Sequence, residues 1–262
     1  MTSVLPKRTT SGLPSPTTEA VMTSQLSFSY PDRAGVLKAI NLKILTGERV
    51  GLIGHNGCGK TTLFMTLCGA LKPTSGEISL FGEPVVPNQF HPQISLLFQD
   101  PDDQLFSASV RDDIAFGPVN MGLADDLVQT QVTAALNTVG IEHLTDRPPH
   151  HLSGGEKQMV AIAGLLAMHP RMMLYDEPTA SLDIRSRRRL ITFLRELEQT
   201  MLIASHDLEF VLEVCDRVII MNQGEIVADG TPKEIMGDAA LMERYELEKP
   251  HSLIPHVIPH HE

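Results

Sequence analysis

The run Gly54-His55-Asn56-Gly57-Cys58-Gly59-Lys60-Thr61 constrains this chain more than any other feature. It fits the pattern G-x-x-x-x-G-K-[ST], and it lies between an apolar β-type run, Arg49 to Ile53, and a helical stretch from Lys60 to about Leu71. A strand that enters a glycine-rich turn and leaves as a helix lets backbone N–H groups converge on phosphate oxygens. The helix behind the turn adds roughly half a positive charge at its N-terminus. In this pattern Lys60 reaches the β- and γ-phosphates and Thr61 ligates Mg²⁺, with Gly54, His55, Asn56, Gly57, Cys58, Gly59 and Thr62 completing the nucleotide-binding set. At Cys58 two readings stand: a thiol whose pKa is lowered by the helix N-terminus, or a side chain that merely occupies the loop.

A second constellation follows. Met172 to Tyr175 reads as a buried strand that ends in Asp176-Glu177, and ligands of parallel sheets bind at the carboxyl ends of strands. Asp176 suits a Mg²⁺ contact, and Glu177 is placed to take a proton from an attacking water. Alone, two acids after a strand are equally compatible with a solvated loop.

Between and around these motifs, β-type and helical runs alternate: strands at Ile94 to Phe98 and Met201 to Ala204, helices at roughly Val110 to Phe116, Asp125 to Val139, Ser153 to Met168 and Arg185 to Glu198. That alternation predicts an α/β fold with a largely parallel central sheet. Arg217 to Met221 and Glu225 to Ala228, joined through Asn222-Gln223-Gly224, read as a β-hairpin. Residues 1–21 are rich in Thr, Ser and Pro and read as a disordered tail. The expected domain covers 22–246, with a helical subdomain at about 100–165 and a His- and Pro-containing tail at 247–262.

Composition narrows the partners. With 21 Lys and Arg against 32 Asp and Glu, the formal charge is −11, which argues against nucleic acid as a partner. No apolar run approaches the roughly 20 residues that span a bilayer. Three scattered cysteines and the absence of a signal-type N-terminus point to a reducing, cytoplasmic location.

Leu152-Ser153-Gly154-Gly155-Glu156-Lys157-Gln158 stands about 20 residues before the acid pair. By itself it is a Ser-capped helix start. In this order and spacing the sequence resembles the ABC (ATP-binding cassette) ATPase family over residues 24 to about 235. The resemblance implies a P-loop NTPase cassette, with a mostly parallel central sheet, an antiparallel β subdomain and an α-helical signature subdomain. It implies that Ser153, Gly154, Gly155 and Glu156 close over the nucleotide held by a second ABC ATPase subunit, an identical copy or a paralogue. It further implies that Gln99 contacts Mg²⁺ and the attacking water, that His206 contacts the γ-phosphate, that Ser181-Leu182-Asp183 meets the partner subunit, and that Tyr30 stacks on adenine. Two departures are visible: Glu156 stands where many members have Gln, and Tyr175 stands where an aliphatic residue is common.

Phe98-Gln99-Asp100-Pro101-Asp102-Asp103-Gln104-Leu105-Phe106, followed by Asp113-Ile114-Ala115-Phe116-Gly117-Pro118, is similar to energy-coupling-factor ATPases, particularly the cobalt and nickel branch. That similarity implies an ATP- and Mg²⁺-dependent importer subunit, peripheral on the cytoplasmic side of the cell membrane, beneath a transmembrane coupling protein and a small substrate-capturing membrane protein. Asp100, Asp102 and Asp103 are candidates for an acidic groove receiving basic coupling helices, with a solvated loop as the alternative. His251, His256, His260 and His261 are candidate Ni²⁺ or Co²⁺ ligands or incidental tail residues. The rival function is a soluble ABC ATPase acting in translation or DNA repair.

Overall fold

A computed structural model describes residues 18–254. The chain runs β1 (Glu19–Tyr30), β2 (Arg33–Leu45), β3 (Arg49–Ile53), α1 (Lys60–Leu67), β4 (Ser75–Leu80), β5 (Glu83–Pro84), β6 (Ile94–Leu97), α2 (Val110–Asn120), α3 (Asp125–Val139) and α4 (Gly154–Leu166). It continues through β7 (Met172–Asp176), α5 (Ile184–Glu196), β8 (Thr200–Ala204), α6 (Leu208–Val214), β9 (Arg217–Asn222), β10 (Glu225–Gly230), α7 (Pro232–Gly237) and α8 (Ala239–Arg244).

Six strands form the main sheet in the order β10-β9-β3-β8-β7-β6. All neighbours are parallel except β9 and β10, the expected hairpin. Its two-residue turn holds Gln223 at φ 46° and Gly224 at φ 85°, the twist that tight hairpins require. Both faces of this sheet are covered, so its strands read as continuous apolar runs. Along β7, Met173 and Tyr175 join the core beneath α3, α4 and α5, while Met172 and Leu174 join a second core with α1 and the other sheet. That other sheet is antiparallel, in the order β2-β1-β4-β5.

Several boundaries depart from the sequence reading, and α1 ends at Leu67 rather than about Leu71. β1 begins at Glu19 with Ala20 and Val21 fully buried, so the last residues of the expected tail belong to the domain; residues 1–17 lie outside the described residues. α2 continues through Pro118 to Asn120, where burial of Pro118 outweighs its missing donor. The C-terminal segment is not detached: Ser252 donates from N and Oγ to Glu209, at 3.0 and 2.6 Å, and Lys249 Nζ donates to Gly237 O at 2.8 Å. His251 opens a 3₁₀ turn there, and His256, His260 and His261 lie outside the described residues.

The substitution of tyrosine into β7 has a stability consequence. Tyr175 is fully buried, and its hydroxyl has no hydrogen-bond partner among the described residues. An unmet buried hydroxyl costs about 1–3 kcal/mol. Tyr175→Phe is therefore expected to leave unfolding free energy unchanged or raise it by about 1 kcal/mol in a denaturant titration. A comparable loss would show that the hydroxyl has a partner.

Candidate functional site

The turn after β3 builds its concavity from backbone that only glycine tolerates. Gly54 sits at φ 153°, and a Cβ there would stand 2.1 Å from the Met221 carbonyl oxygen of β9. Gly59 at φ 113° is the N-cap of α1 and makes no side-chain cap, so the first N–H groups of the helix remain available to an anion. The outer wall is tied down from β9–β10, since Gly224 N donates to Cys58 O at 3.0 Å. His55 joins this bracing through Nε2 and Asn222 Oδ1 at 3.0 Å.

The charged groups converge beside that turn. Lys60 Nζ donates to Gly54 O at 2.8 Å and lies 3.2 Å from His206 Nε2. Thr61 Oγ1 donates to Asp176 Oδ2 at 2.6 Å, bringing two hard oxygen donors from α1 and β7 together. Glu177 occupies a left-handed backbone conformation, φ 48°, of the kind held in place at functional sites. Its N–H donates to Ala204 O at 2.9 Å, and its Oε2 accepts from the His206 N–H at 3.0 Å. Its Oε1 is buried without a hydrogen-bond donor and lies 3.3 Å from His206 Nε2. Burial pushes the Asp176 carboxyl above the usual range, against the pull of Thr61 and Lys60. Burial likewise raises Glu177, with the His206 N–H and Lys60 opposing it. Burial first, then Lys60 and His55, lower the His206 pKa and favour its neutral ring.

One cleft is lined by Asn56, Gly57, Gly59, Lys60, Thr61, Thr62, Gln99, Asp176 and Glu177, together with Arg33 and Val36. The structure thus brings the cradle, Gln99 and the acid pair to one place. Tyr30 stands at its edge, its hydroxyl 3.4 Å from Thr62 Oγ1 and its ring edge-on to Phe28. Arg33 is a residue the sequence reading passed over; its Nη2 donates to Gly57 O at 3.0 Å. Only its place three residues after Tyr30 hinted at it. Cys58 is almost fully buried and burial raises its thiol pKa despite Lys60 nearby, which removes the activated-thiol reading.

Ser153, Gly154, Gly155 and Glu156 do not line this cleft. Ser153 caps α4, and the Glu156 carboxylate accepts back from Ser153 N and Oγ at 2.8 and 2.7 Å, a capping box. The negative charge that Glu156 brings in place of Gln is thereby engaged at its own helix N-terminus. This turn packs on the Ser181-Leu182-Asp183 loop and the start of α5 in the same chain: a Cβ at Gly154 would stand 3.5 Å from Ser181 O, one at Gly155 would meet Ser186 Oγ at 2.3 Å, and Asp183 caps α5. Ile184, next to that loop, is 87% exposed. Of the candidate acidic groove, Asp102 is bound to Lys157 Nζ at 2.7 Å and Asp100 accepts from Asp102 N. Among the described residues, Asp103 alone of the three is exposed with no side-chain partner, so the groove is less acidic than its composition suggested.

Comparisons with known proteins accord with this geometry. The ABC transporter family model matches residues 37–180. The chain is 59% identical to a putative ABC transporter ATP-binding protein of Synechocystis, over 91% of this chain and 84% of that one. It is 48% identical to the energy-coupling factor transporter ATP-binding protein EcfA of Methanothermobacter thermautotrophicus, over 86% and 75% respectively. Among solved structures, cbiO1 of Clostridium perfringens, part of the ABC transporter complex cbiONQ, superposes with a TM-score of 0.78 at 39% identity, covering 90% of this chain and 98% of that one.

Proposed function

The chain belongs to the ABC transporter family of ATP-hydrolysing subunits, and on that premise we propose that it energises an energy-coupling-factor type importer. In this reading it works as one of two nucleotide-sandwich subunits on the cytoplasmic face of a membrane. The kinship to EcfA and to cbiO1 supports the subtype, and cobalt or nickel is the cargo class we assign from the resemblance of residues 98–118 to the cobalt and nickel branch. Among the described residues no helix is long and apolar enough to cross a membrane, so translocation belongs to partner chains.

The observation that carries the hydrolytic reading is the Glu177 carboxylate. One oxygen is held by the His206 N–H, and the other is buried with no donor, beside Lys60 and His206. An unmet carboxylate oxygen at the mouth of a phosphate cradle is placed to accept a proton from the water that attacks the γ-phosphate. Lys60 balances phosphate charge, and His206 contacts the γ-phosphate through its neutral ring. The hard-oxygen set of Thr61, Asp176 and Gln99 fits Mg²⁺, which when bound neutralises charge on the β- and γ-oxygens. Tyr30 flanks the adenine. Ser153 to Glu156 close over the partner's nucleotide and the 181–183 loop meets the partner subunit, in keeping with the exposed Ile184 beside them. Phe106 and Phe116, paired edge to face at 4.8 Å and both exposed, with exposed Val119 nearby, offer an apolar seat for a membrane subunit.

The test is affinity purification of the Glu177→Gln chain from native membranes with ATP, followed by mass spectrometry. A transmembrane coupling protein and a small capture protein are expected to accompany it. Ribosomal or DNA-repair proteins in their place would overturn the importer reading and leave the ATPase chemistry intact.

A further inference from the structure

Arg187 stands away from the cleft, yet its side chain ends on the residue next to His206. Its guanidinium forks onto both carboxylate oxygens of Asp207, through Nε to Oδ2 and through Nη2 to Oδ1 at 2.9 Å. The two side chains are about a quarter exposed, a setting in which a bidentate pair fixes geometry as well as contributing energy. Asp207 is otherwise pinned: its Oδ1 caps α6 by accepting from Phe210 N at 2.9 Å, and its N–H donates to Ser205 Oγ at 3.1 Å. Ser205 is fully buried. The three-residue loop that carries His206 is therefore clamped at both ends, with Arg187 closing one of them.

The other end of Arg187 leads to the loop assigned to the partner subunit. Asp183 caps α5 by accepting from Arg185 N and Ser186 N, and Arg187 N donates to Asp183 O at 2.8 Å. One helical turn thus separates the 181–183 loop from the guanidinium that holds Asp207. We propose that Arg187 is a positioning residue, tying the 181–183 loop to the His206 loop so that the ring stays against Glu177 and Lys60. Movement of the loop on its partner is then transmitted through α5 to the γ-phosphate contact. This rests on the role proposed for His206.

The experiment compares Arg187→Ala, Arg187→Lys, Asp207→Asn, His206→Ala and the double variant Arg187→Ala/His206→Ala in the full chain with its partner subunits. Turnover, KM for ATP, the Kd of a fluorescent ATP analogue and Tm are measured. Arg187→Ala is expected to lower kcat at least tenfold with KM and Kd within twofold of the parent. Arg187→Lys, which keeps the charge and loses the fork, is expected to recover only part of that loss. In the His206→Ala background the Arg187→Ala change is expected to cost no further activity. Losses that multiply in that background, or a kcat for Arg187→Ala within twofold of the parent, would overturn the inference. If Arg187→Ala does not fold, Arg187→Lys carries the same test, and its full activity would overturn the inference too. A His206→Ala chain that turns over at the parental rate would instead remove the role of His206 itself.

Discussion

Replacing Glu177 with glutamine lowers ATP turnover by roughly 10²- to 10⁴-fold, the usual span for a general base, while nucleotide affinity stays within a few-fold. The substitution keeps an oxygen able to accept from the His206 N–H, now at 3.0 Å from Oε2, so the loop geometry is retained. What it removes is the basic oxygen left without a donor. Because the carboxylate is partly buried, its replacement by a neutral group also lifts a desolvation cost, and Tm should not fall. Phosphate release under single-turnover conditions, with ATP binding measured alongside, checks both halves. Turnover within fivefold of the parent would exclude Glu177 as the base.

The second large effect belongs to the cradle. Gly54→Ala is expected to weaken ATP binding by about 10²-fold or more, since displacing a positioning element by an ångström has effects of that order. The added methyl would stand 2.1 Å from the Met221 carbonyl oxygen at an unfavourable φ, so the turn or β9 must shift. The same shift displaces the Gly54 carbonyl that holds Lys60 Nζ. Overpacking of this kind also destabilises by about 1–3 kcal/mol. Gly237→Ala, where a methyl meets nothing within 4 Å, is the matched control. Isothermal titration with ATP separates the two, and equal affinities would show that the glycine is not required for the cradle.

The sequence was most legible where chemistry demands fixed spacing. The Gly54 to Thr61 turn, the acids closing β7 and the Ser153 cap each declare themselves within a few residues, and the structure brings the turn and the acids into one cleft. Elements whose residues are half exposed were harder to read. β4 alternates poorly, with three exposed residues before its first buried one, and β5 has two residues. β4 depends on β1, a partner far earlier in the chain, as in Val21 opposite Leu80, and β5 pairs only with β4. The Arg187–Asp207 fork left no local trace either, because its members lie 20 residues apart on different elements. Arg33 reaches the turn only because the β1–β2 hairpin folds back over it. Such contacts arise from tertiary packing, and single-chain periodicity does not encode them.

The strand order carries a consequence for biosynthesis. β3, which delivers the chain into the phosphate turn, pairs on one side with β8 and on the other with β9, both drawn from the last third of the sequence. The antiparallel sheet, by contrast, uses residues 19–84 alone. On a ribosome making about 5–20 residues each second, β3 therefore waits roughly 8–30 s for β8, its first hydrogen-bonded neighbour, to be made. Nascent chains interrupted before β9 emerge hold the whole phosphate motif in sequence and lack the sheet that shapes it. Nucleotide capture is therefore expected only after β8 and β9 have paired with β3.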